Sequence, residues 1–342
     1  MARPLTGRAL VRAGLAAGAV LAARQWIRRR RRVELRGRAV LIAGGSRGLG
    51  LALAREFGRR GARVAICGRD ADTLERARQD LAGRGIEVQA LACDVGNRDQ
   101  AFRTVEDLAA RLGGLDVLVN VAGVVEVGPL ETMTLADFDE AMRTNFWGPL
   151  HTTLAALGPL RARGGGRIVT VASIGGKVAV PHLLPYAASK FAVAGLSEGL
   201  RAELARDGIL VTTVDPGLMR TGSPRHAIFK GRHRAEFAWF SVADALPGLS
   251  MDAERAARRI VEACRHGDAS VVLGLPAKLA VALHALAPGV TADALGVVHR
   301  LLPPPGGIGT TGAPGRESAS AWSPSWLTAL GERAARALNQ AA

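Results

Sequence analysis

Residues 39–50 read AVLIAGGSRGLG. Five apolar residues run directly into a glycine-rich turn, and the next residues, LGLALAREFGRRG (49–61), repeat their apolar positions at three- and four-residue spacing. A wholly apolar run of this length is a buried strand, and the repeat that follows is an amphipathic helix. Between them stands Gly44-Gly45-Ser46-Arg47-Gly48-Leu49-Gly50, a G-x-x-x-G-x-G spacing. Glycines there let the backbone turn sharply and come close to a pyrophosphate, which the free amides at the helix start then meet.

Outward from this unit the alternation repeats. Further candidate strands are RVAIC (63–67), EVQALAC (87–93), DVLVNV (116–121), RIVTVA (167–172), ILVTTV (209–214) and SVVLG (270–274), separated by helical stretches such as DTLERARQDLAGRG and RDQAFRTVEDLAARLGG. Apolar strands each followed by a helix predict an α/β fold, a doubly wound, parallel, seven-stranded sheet of Rossmann type covered on both faces. Three segments follow: residues 1–37, apolar and basic; 38–275, a single catalytic domain; and 276–342, helical and then rich in Pro, Gly and Ser. Within the last, 277–301 is expected to be helical, 302–327 flexible or extended, and Ser325 to Leu338 a last short helix.

The chain has 342 residues, 48% hydrophobic and 22% charged, which excludes a wholly disordered chain and a multi-span membrane protein. Three cysteines, Cys67, Cys93 and Cys264, are too few and too scattered for a disulfide framework or a zinc cluster. Of the net charge of +15, residues 1–38 carry +10, from eleven Arg against Glu34. An excess confined to one terminal segment argues against nucleic acid as a partner. Residues 13–23 (AGLAAGAVLAA) are uncharged and followed by Trp26 and Arg28 to Arg32. That order suits a membrane surface or a marginal single-pass anchor with the body at the cytoplasmic face. A solvated linker and an export signal are the competing readings.

The second strand ends Cys67-Gly68-Arg69, with glycine where an NAD-preferring fold carries an acid for the ribose hydroxyls. Arg47 supplies a second cation, and two guanidiniums can clamp a 2′-phosphate. NADP(H) is therefore expected over NAD(H), with Asp70 assigned to capping the next helix.

Tyr186 is the one tyrosine of the chain, and Lys190, one of four lysines, follows it at helical spacing. Moving a proton at an alcohol or carbonyl oxygen calls for an acid/base near working pH. Free tyrosine, at about 10, needs a nearby cation to favour its phenolate. Ser173 ends the fifth strand and can donate to the same oxygen.

With these residues in order, the sequence resembles the classical short-chain dehydrogenase/reductase family over roughly residues 38 to 275. The resemblance rests on the Gly44/Gly48/Gly50 loop, Asp94-Val95, Asn120-Val121-Ala122-Gly123, Asn145, Ser173, Tyr186-x-x-x-Lys190, and Pro216-Gly217 with Thr221. It implies that Tyr186 is the general acid/base and that Ser173 orients the substrate oxygen. Lys190 would hold the nicotinamide ribose and depress the tyrosine pKa, and Asn145 would anchor a water-linked proton relay. Gly44, Ser46, Arg47, Gly48, Leu49, Gly50 and Arg69 would hold the phosphates. Asp94 and Val95 would meet adenine, Asn120, Ala122 and Gly123 would line the cofactor's path, and Pro216, Gly217 and Thr221 would meet the nicotinamide end. Ala43, Val121 and Ala172 depart from the family's usual residues without removing a catalytic group.

Beyond Thr221, Phe229, Phe237, Trp239 and Phe240 fall within twelve residues. They predict an apolar lid over a small apolar carbonyl or alcohol substrate that is lipid-, steroid- or retinoid-like, with packing as ordinary core the competing reading. The seven histidines show no metal-ligand spacing, and no metal is expected. The expected reaction interconverts a secondary alcohol and a ketone or aldehyde. A dinucleotide-binding regulator without turnover, and an epimerase or dehydratase on the same fold, are the alternatives. A homodimer or homotetramer is the prior for assembly.

Overall fold

The computed structural model describes residues 18, 19 and 22–340. Residues 9–17, 20 and 21, which hold most of the anticipated apolar anchor, lie outside the described residues. A helix over 22–30 (α1) leads through Leu35, which is buried in the core, into the sheet. No helix among the described residues is long and apolar enough to cross a membrane.

The first strand, β1 (Ala39–Ala43), is buried at every position. The strands around it are β2 (Arg63–Gly68), β3 (Val88–Ala92), β4 (Val117–Asn120), β6 (Gly166–Val171), β7 (Ile209–Pro216) and β11 (Ser270–Leu273). They form one seven-stranded sheet in the order β11-β7-β6-β4-β1-β2-β3. Every pairing in it is parallel, as wholly apolar strands require.

Helices α2 (Gly48–Arg59), α3 (Ala71–Ala82) and α9 (Ala253–His266) cover one face, and α4 (Arg98–Arg111), α6 (Gly148–Ala162) and α7 (Leu184–Glu203) the other. Side-chain caps start three of them: Asp70 accepts from the Thr73 amide, Asn97 from Gln100 and Asp252 from Arg255. The short helix α5 (Leu135–Met142) runs into a π-helical turn at Arg143–Trp147 before α6. Strand order reverses between β1 and β4, so the carboxyl ends of β1, β2, β4, β6 and β7 open on a crevice at that switch point.

Beyond β7 the chain leaves the sheet. Two-residue strands β8 (Met219–Arg220) and β10 (Met251–Asp252) pair with each other, and β9 (Ile228–Phe229) joins β5 (Glu126–Val127) and β12 (Ala313–Pro314) in a small second sheet. Helix α8 (His233–Ala245) lies between them in sequence. The helical expectation for 277–301 resolves into two helices, α10 (Leu275–Leu286) and α11 (Pro288–Leu301). Residues 302–327, expected to be flexible or extended, are instead fastened to the body. Besides the β12–β9 pairing, the Ile308 amide donates to Gly231 O and the Gly231 amide to Gly309 O. Ser318 and Ser323 are fully buried there. The last helix, α12 (Ala329–Ala337), delivers Leu338 into the core beneath α2 and α9.

Candidate active site

A cavity of about 490 Å³ occupies the crevice. Gly44, Ser46, Arg47, Gly48, Leu49 and Gly50 form its floor, Arg69 and Asp94 one end, and Ser173, Tyr186 and Lys190 the other. The loop follows its strand so tightly that a Cβ on Gly50 would lie 1.9 Å from Gly44 O, and one on Gly44 2.5 Å from the Ala122 amide. Gly44 and Gly48 take positive φ, a conformation that favours glycine. The loop is therefore a cradle that side chains would fill, and it suits an elongated phosphate-bearing ligand.

Arg47 and Arg69 both line the cavity and are close enough for their charges to act on one another. Burial, and then the charge of Arg69, lower the Arg47 pKa. Arg69 has only a long contact of 3.7 Å to Glu140. Two adjacent guanidiniums of which neither is closely neutralised would accept a doubly charged phosphate. Asp70 does not compete there, because its carboxylate accepts from the Thr73 amide at 2.6 Å as the cap of α3. Asp94 is held by Arg143 at 2.6 Å and by the Gly96 amide, which keep its pKa low against the pull of burial.

At the opposite end, the Ser173 hydroxyl oxygen accepts from the Gly175 amide at 3.0 Å. Lys190 Nζ donates to Val171 O at 3.0 Å and lies 5.6 Å from the centre of the Tyr186 ring. Burial brings the Lys190 ammonium down to about 8, against a smaller opposing pull from Asp215. The expected depression of the tyrosine pKa is not what this geometry gives. Burial raises the phenol, and the counteracting influence is a hydrogen bond with Ser173. The reason is direction: Lys190 aims its ammonium at a backbone carbonyl and the ring face, while the phenol is desolvated.

Two residues assigned to the site do not line the cavity. Asn120 turns its buried side chain into α6, where its Nδ2 donates to Thr153 Oγ1 at 3.1 Å and its Oδ1 accepts from Thr152 at 2.7 Å. It joins β4 to α6, and Val121, Ala122 and Gly123 line the path instead. Asn145 is fully buried in the π-helical turn, a local form often found at functional sites. Its Oδ1 accepts from the Val124 amide at 2.9 Å, and its Nδ2 donates to Val124 O and to Ser189 Oγ. Asn145 thus holds the segment between β4 and β5, at Val124, against the helix that bears Tyr186 and Lys190. Val95, Pro216, Gly217 and Thr221 all line the cavity.

The aromatic lid is also corrected. Phe229 and Phe237 are buried and meet edge to face at 5.3 Å, and Trp239 and Phe240 pack with them in an apolar cluster that also takes in Val125, Ala227 and Tyr186. None of the four rings lines the cavity. Its apolar surface near Tyr186 comes from Val124, Val125, Met219 and Ala227. Sequence reasoning also missed His226, which carries no local signal. Burial, and then the charge of Arg47, hold its imidazole down to about 4, so it is neutral and accepts from Arg47 Nη1 at 3.1 Å.

Comparison with known proteins agrees with this geometry. The family model described as "short chain dehydrogenase" matches residues 38–228. The chain belongs to the short-chain dehydrogenase/reductase family. Dehydrogenase/reductase SDR family member 7B of Danio rerio is 32% identical over 270 residues, covering 77% of this chain and 86% of its own. A putative ketoacyl reductase of Streptomyces coelicolor is 40% identical over 185 residues, 53% of this chain and 70% of the relative. Among solved structures, a variant of actinorhodin polyketide ketoreductase with NADPH superposes with a TM-score of 0.63 at 30% identity, covering 69% of this chain and 96% of that one. The short-chain dehydrogenase/reductase fold binds a nicotinamide dinucleotide, and the relatives are named as dehydrogenases and reductases. The chain is accordingly an oxidoreductase of this family, and the reading as a regulator without turnover loses its ground.

Proposed function

We propose that the protein is an NADP(H)-dependent reductase that interconverts a secondary alcohol and a ketone or aldehyde on a small apolar substrate. The observation that carries this reading is the convergence on one cavity of the glycine loop, the pair Arg47 and Arg69, and the Ser173/Tyr186/Lys190 group. When bound, the dinucleotide supplies or accepts the hydride. The loop amides receive its phosphates, and Arg47 and Arg69 its 2′-phosphate. Lys190 keeps two ammonium protons for ribose hydroxyls after its bond to Val171 O. Ser173 Oγ–H holds the substrate oxygen, and Tyr186 Oη delivers the proton to it. A phenol raised by burial stays protonated at neutral pH and so is in the form that donates to a carbonyl oxygen.

The substrate class is supported by Val124, Val125, Met219 and Ala227 around the reacting end, and by a relative named as a ketoacyl reductase. The test is NADPH consumption with a panel of straight-chain and bicyclic apolar ketones and aldehydes, with polar sugars as the contrast. Turnover confined to the sugars would overturn the apolar assignment. Isomerised product without net NADPH change would favour epimerisation.

A second reading concerns location: we infer that the protein lies against the cytoplasmic face of an anionic membrane. Leu275, Leu279, Leu283 and Leu286 recur along α10 and are 50–86% exposed, and Leu301 of α11 is 81% exposed. Beside the start of α10, Arg28, Arg255, Arg258, Arg259 and Lys278 border one recess, where they outnumber Glu262 and Asp268, the latter paired with Arg28. Apolar stripes next to basic residues suit an anionic lipid surface. Co-sedimentation with anionic but not zwitterionic vesicles is expected, with loss of binding in Leu279→Glu/Leu283→Glu. Equal recovery with both vesicles, or with neither, would overturn it.

A further inference from the structure

The last described residues do more than end a helix. Leu338 is buried in the core, and its carbonyl accepts from the Gly48 amide at 2.9 Å. Asn339, in the left-handed region at φ 58°, donates Nδ2 to Ser46 O and to Thr73 O, both at 2.9 Å, and accepts from Arg76 Nε at 3.0 Å. Gln340, 5% exposed, donates Nε2 to Thr221 O at 3.1 Å. Its own carbonyl accepts from His226 Nε2 at 3.2 Å, while the other ring nitrogen of His226 accepts from Arg47. A Cβ on Gly48 would meet Gln340 Nε2 at 2.6 Å, so the amide lies directly over the loop.

Three consecutive residues thereby join three walls of the cavity that are far apart in sequence: the loop at Ser46–Gly48, the start of α3 at Thr73, and the segment from Thr221 to His226. The cavity retains about 490 Å³ with Gln340 in its lining, so this contact borders the ligand space and does not fill it. A loop outside regular structure must otherwise be ordered when ligand binds, at an entropic cost for each residue fixed.

We propose that Asn339 and Gln340 are positioning residues of the dinucleotide site, holding the phosphate loop and the Thr221–His226 segment in the arrangement that receives the adenosine and phosphate end of the cofactor. The inference rests on the dinucleotide reading of the cavity. Asn339 acts through Ser46 and Thr73, at the end where Arg47 and Arg69 stand. Gln340 acts through Thr221 by its side chain and through His226 by its backbone carbonyl, and only the first contact is lost in Gln340→Ala. The Gly48 amide is committed to Leu338 and those of Gly44 and Gly45 to Cys67 O, which leaves phosphate to the remaining loop amides.

The test uses the full chain with Asn339→Ala and, separately, Gln340→Ala. Tryptophan-fluorescence or calorimetric titrations give Kd for NADPH, NADH and 2′,5′-ADP, thermal melts follow the fold, and steady-state rates separate KM from kcat. Losing the three Asn339 side-chain bonds is expected to raise Kd for NADPH and for 2′,5′-ADP roughly tenfold. Gln340→Ala should raise Kd for NADPH and NADH together while changing 2′,5′-ADP less. In both variants the loss should fall on Kd and KM rather than on kcat. Lower melting temperatures with unchanged Kd values would reduce the two residues to ordinary packing and overturn the proposal. Tighter binding in either variant would overturn it as well, by showing that the segment obstructs the site. A parent protein that binds neither NADPH nor NADH would remove the dinucleotide reading itself, and this proposal with it.

Discussion

The two sides of the cavity are built by different physics. From β1 to Gly217 the wall is made of strand ends and the turns that leave them, fixed by a parallel ladder and by glycines packed against backbone. From Thr221 to Gln340 it is made of short two-residue strands, isolated helices and single hydrogen bonds between side chains and backbone. The first side bears Ser173, Tyr186 and Lys190, to which we assign the chemistry, on a frame that cannot shift without breaking the sheet. The second closes over it through contacts that single substitutions can loosen. Substitution of Ser173, Tyr186 or Lys190 on the first side should therefore cost kcat, and substitution on the second should give a graded loss of affinity.

Removing the Tyr186 hydroxyl should break this contrast hardest. Tyr186→Phe is expected to lower kcat by about 10³, within the range of general acid/base catalysis, and to leave NADPH affinity within about twofold, as initial rates and fluorescence titration would record. A kcat within tenfold of the parent would remove Tyr186 from proton transfer. Next in size, Gly50→Ala puts a methyl group against Gly44 O, which cannot yield as a flexible side chain would. It should cost about 1–3 kcal/mol of stability in denaturant unfolding and weaken NADPH and NADH alike.

Smaller effects come from titration. The Lys190 ammonium is brought down to about 8, so reductive kcat/KM should be level through neutral pH and fall as the pH rises past about 8. Stability should move the other way. Because the folded pKa lies below the unfolded one, the folded chain releases this proton first, and the penalty of burying the charge is relieved between about pH 8 and the normal lysine range. On the covering side, burial raises Asp244 to about 7, although it accepts from the Met219 amide at 3.2 Å. A raised carboxyl stabilises the fold while it holds its proton, so stability is lost as pH rises from about 4 through 7. Asp244→Asn should therefore melt a few degrees higher than the parent at pH 8 and show no gain at pH 4. An equal gain at both pH values would mean that ionisation is not the cause.

Legibility divides along the same line. Each central strand was readable to within two residues because buried parallel strands are continuous apolar runs, as in β1, read and found at Ala39–Ala43. Ser173, Tyr186 and Lys190 were legible as a group because the expected chemistry calls for those side chains at those spacings, and the three do line one cavity. Asn120 misled because its type and place fit the cofactor path, whereas successive residues of a strand point in opposite directions and its side chain belongs to α6. The aromatic cluster misled because composition cannot distinguish a ring lining a cavity from one packed on its neighbour. Gln340 was illegible for a plainer reason. It stands 119 residues from its partner at Thr221, and no periodicity or spacing connects them.

The central claim is that the two sides meet around NADP(H), and titrating the protein with NADPH and NADH by tryptophan fluorescence, alongside Arg47→Ala/Arg69→Ala, tests it most directly. The account predicts that the parent binds NADPH at least tenfold more tightly than NADH, and that the double variant loses this preference while keeping its affinity for NADH. An NADH preference in the parent, or equal weakening of both cofactors in the variant, would contradict it.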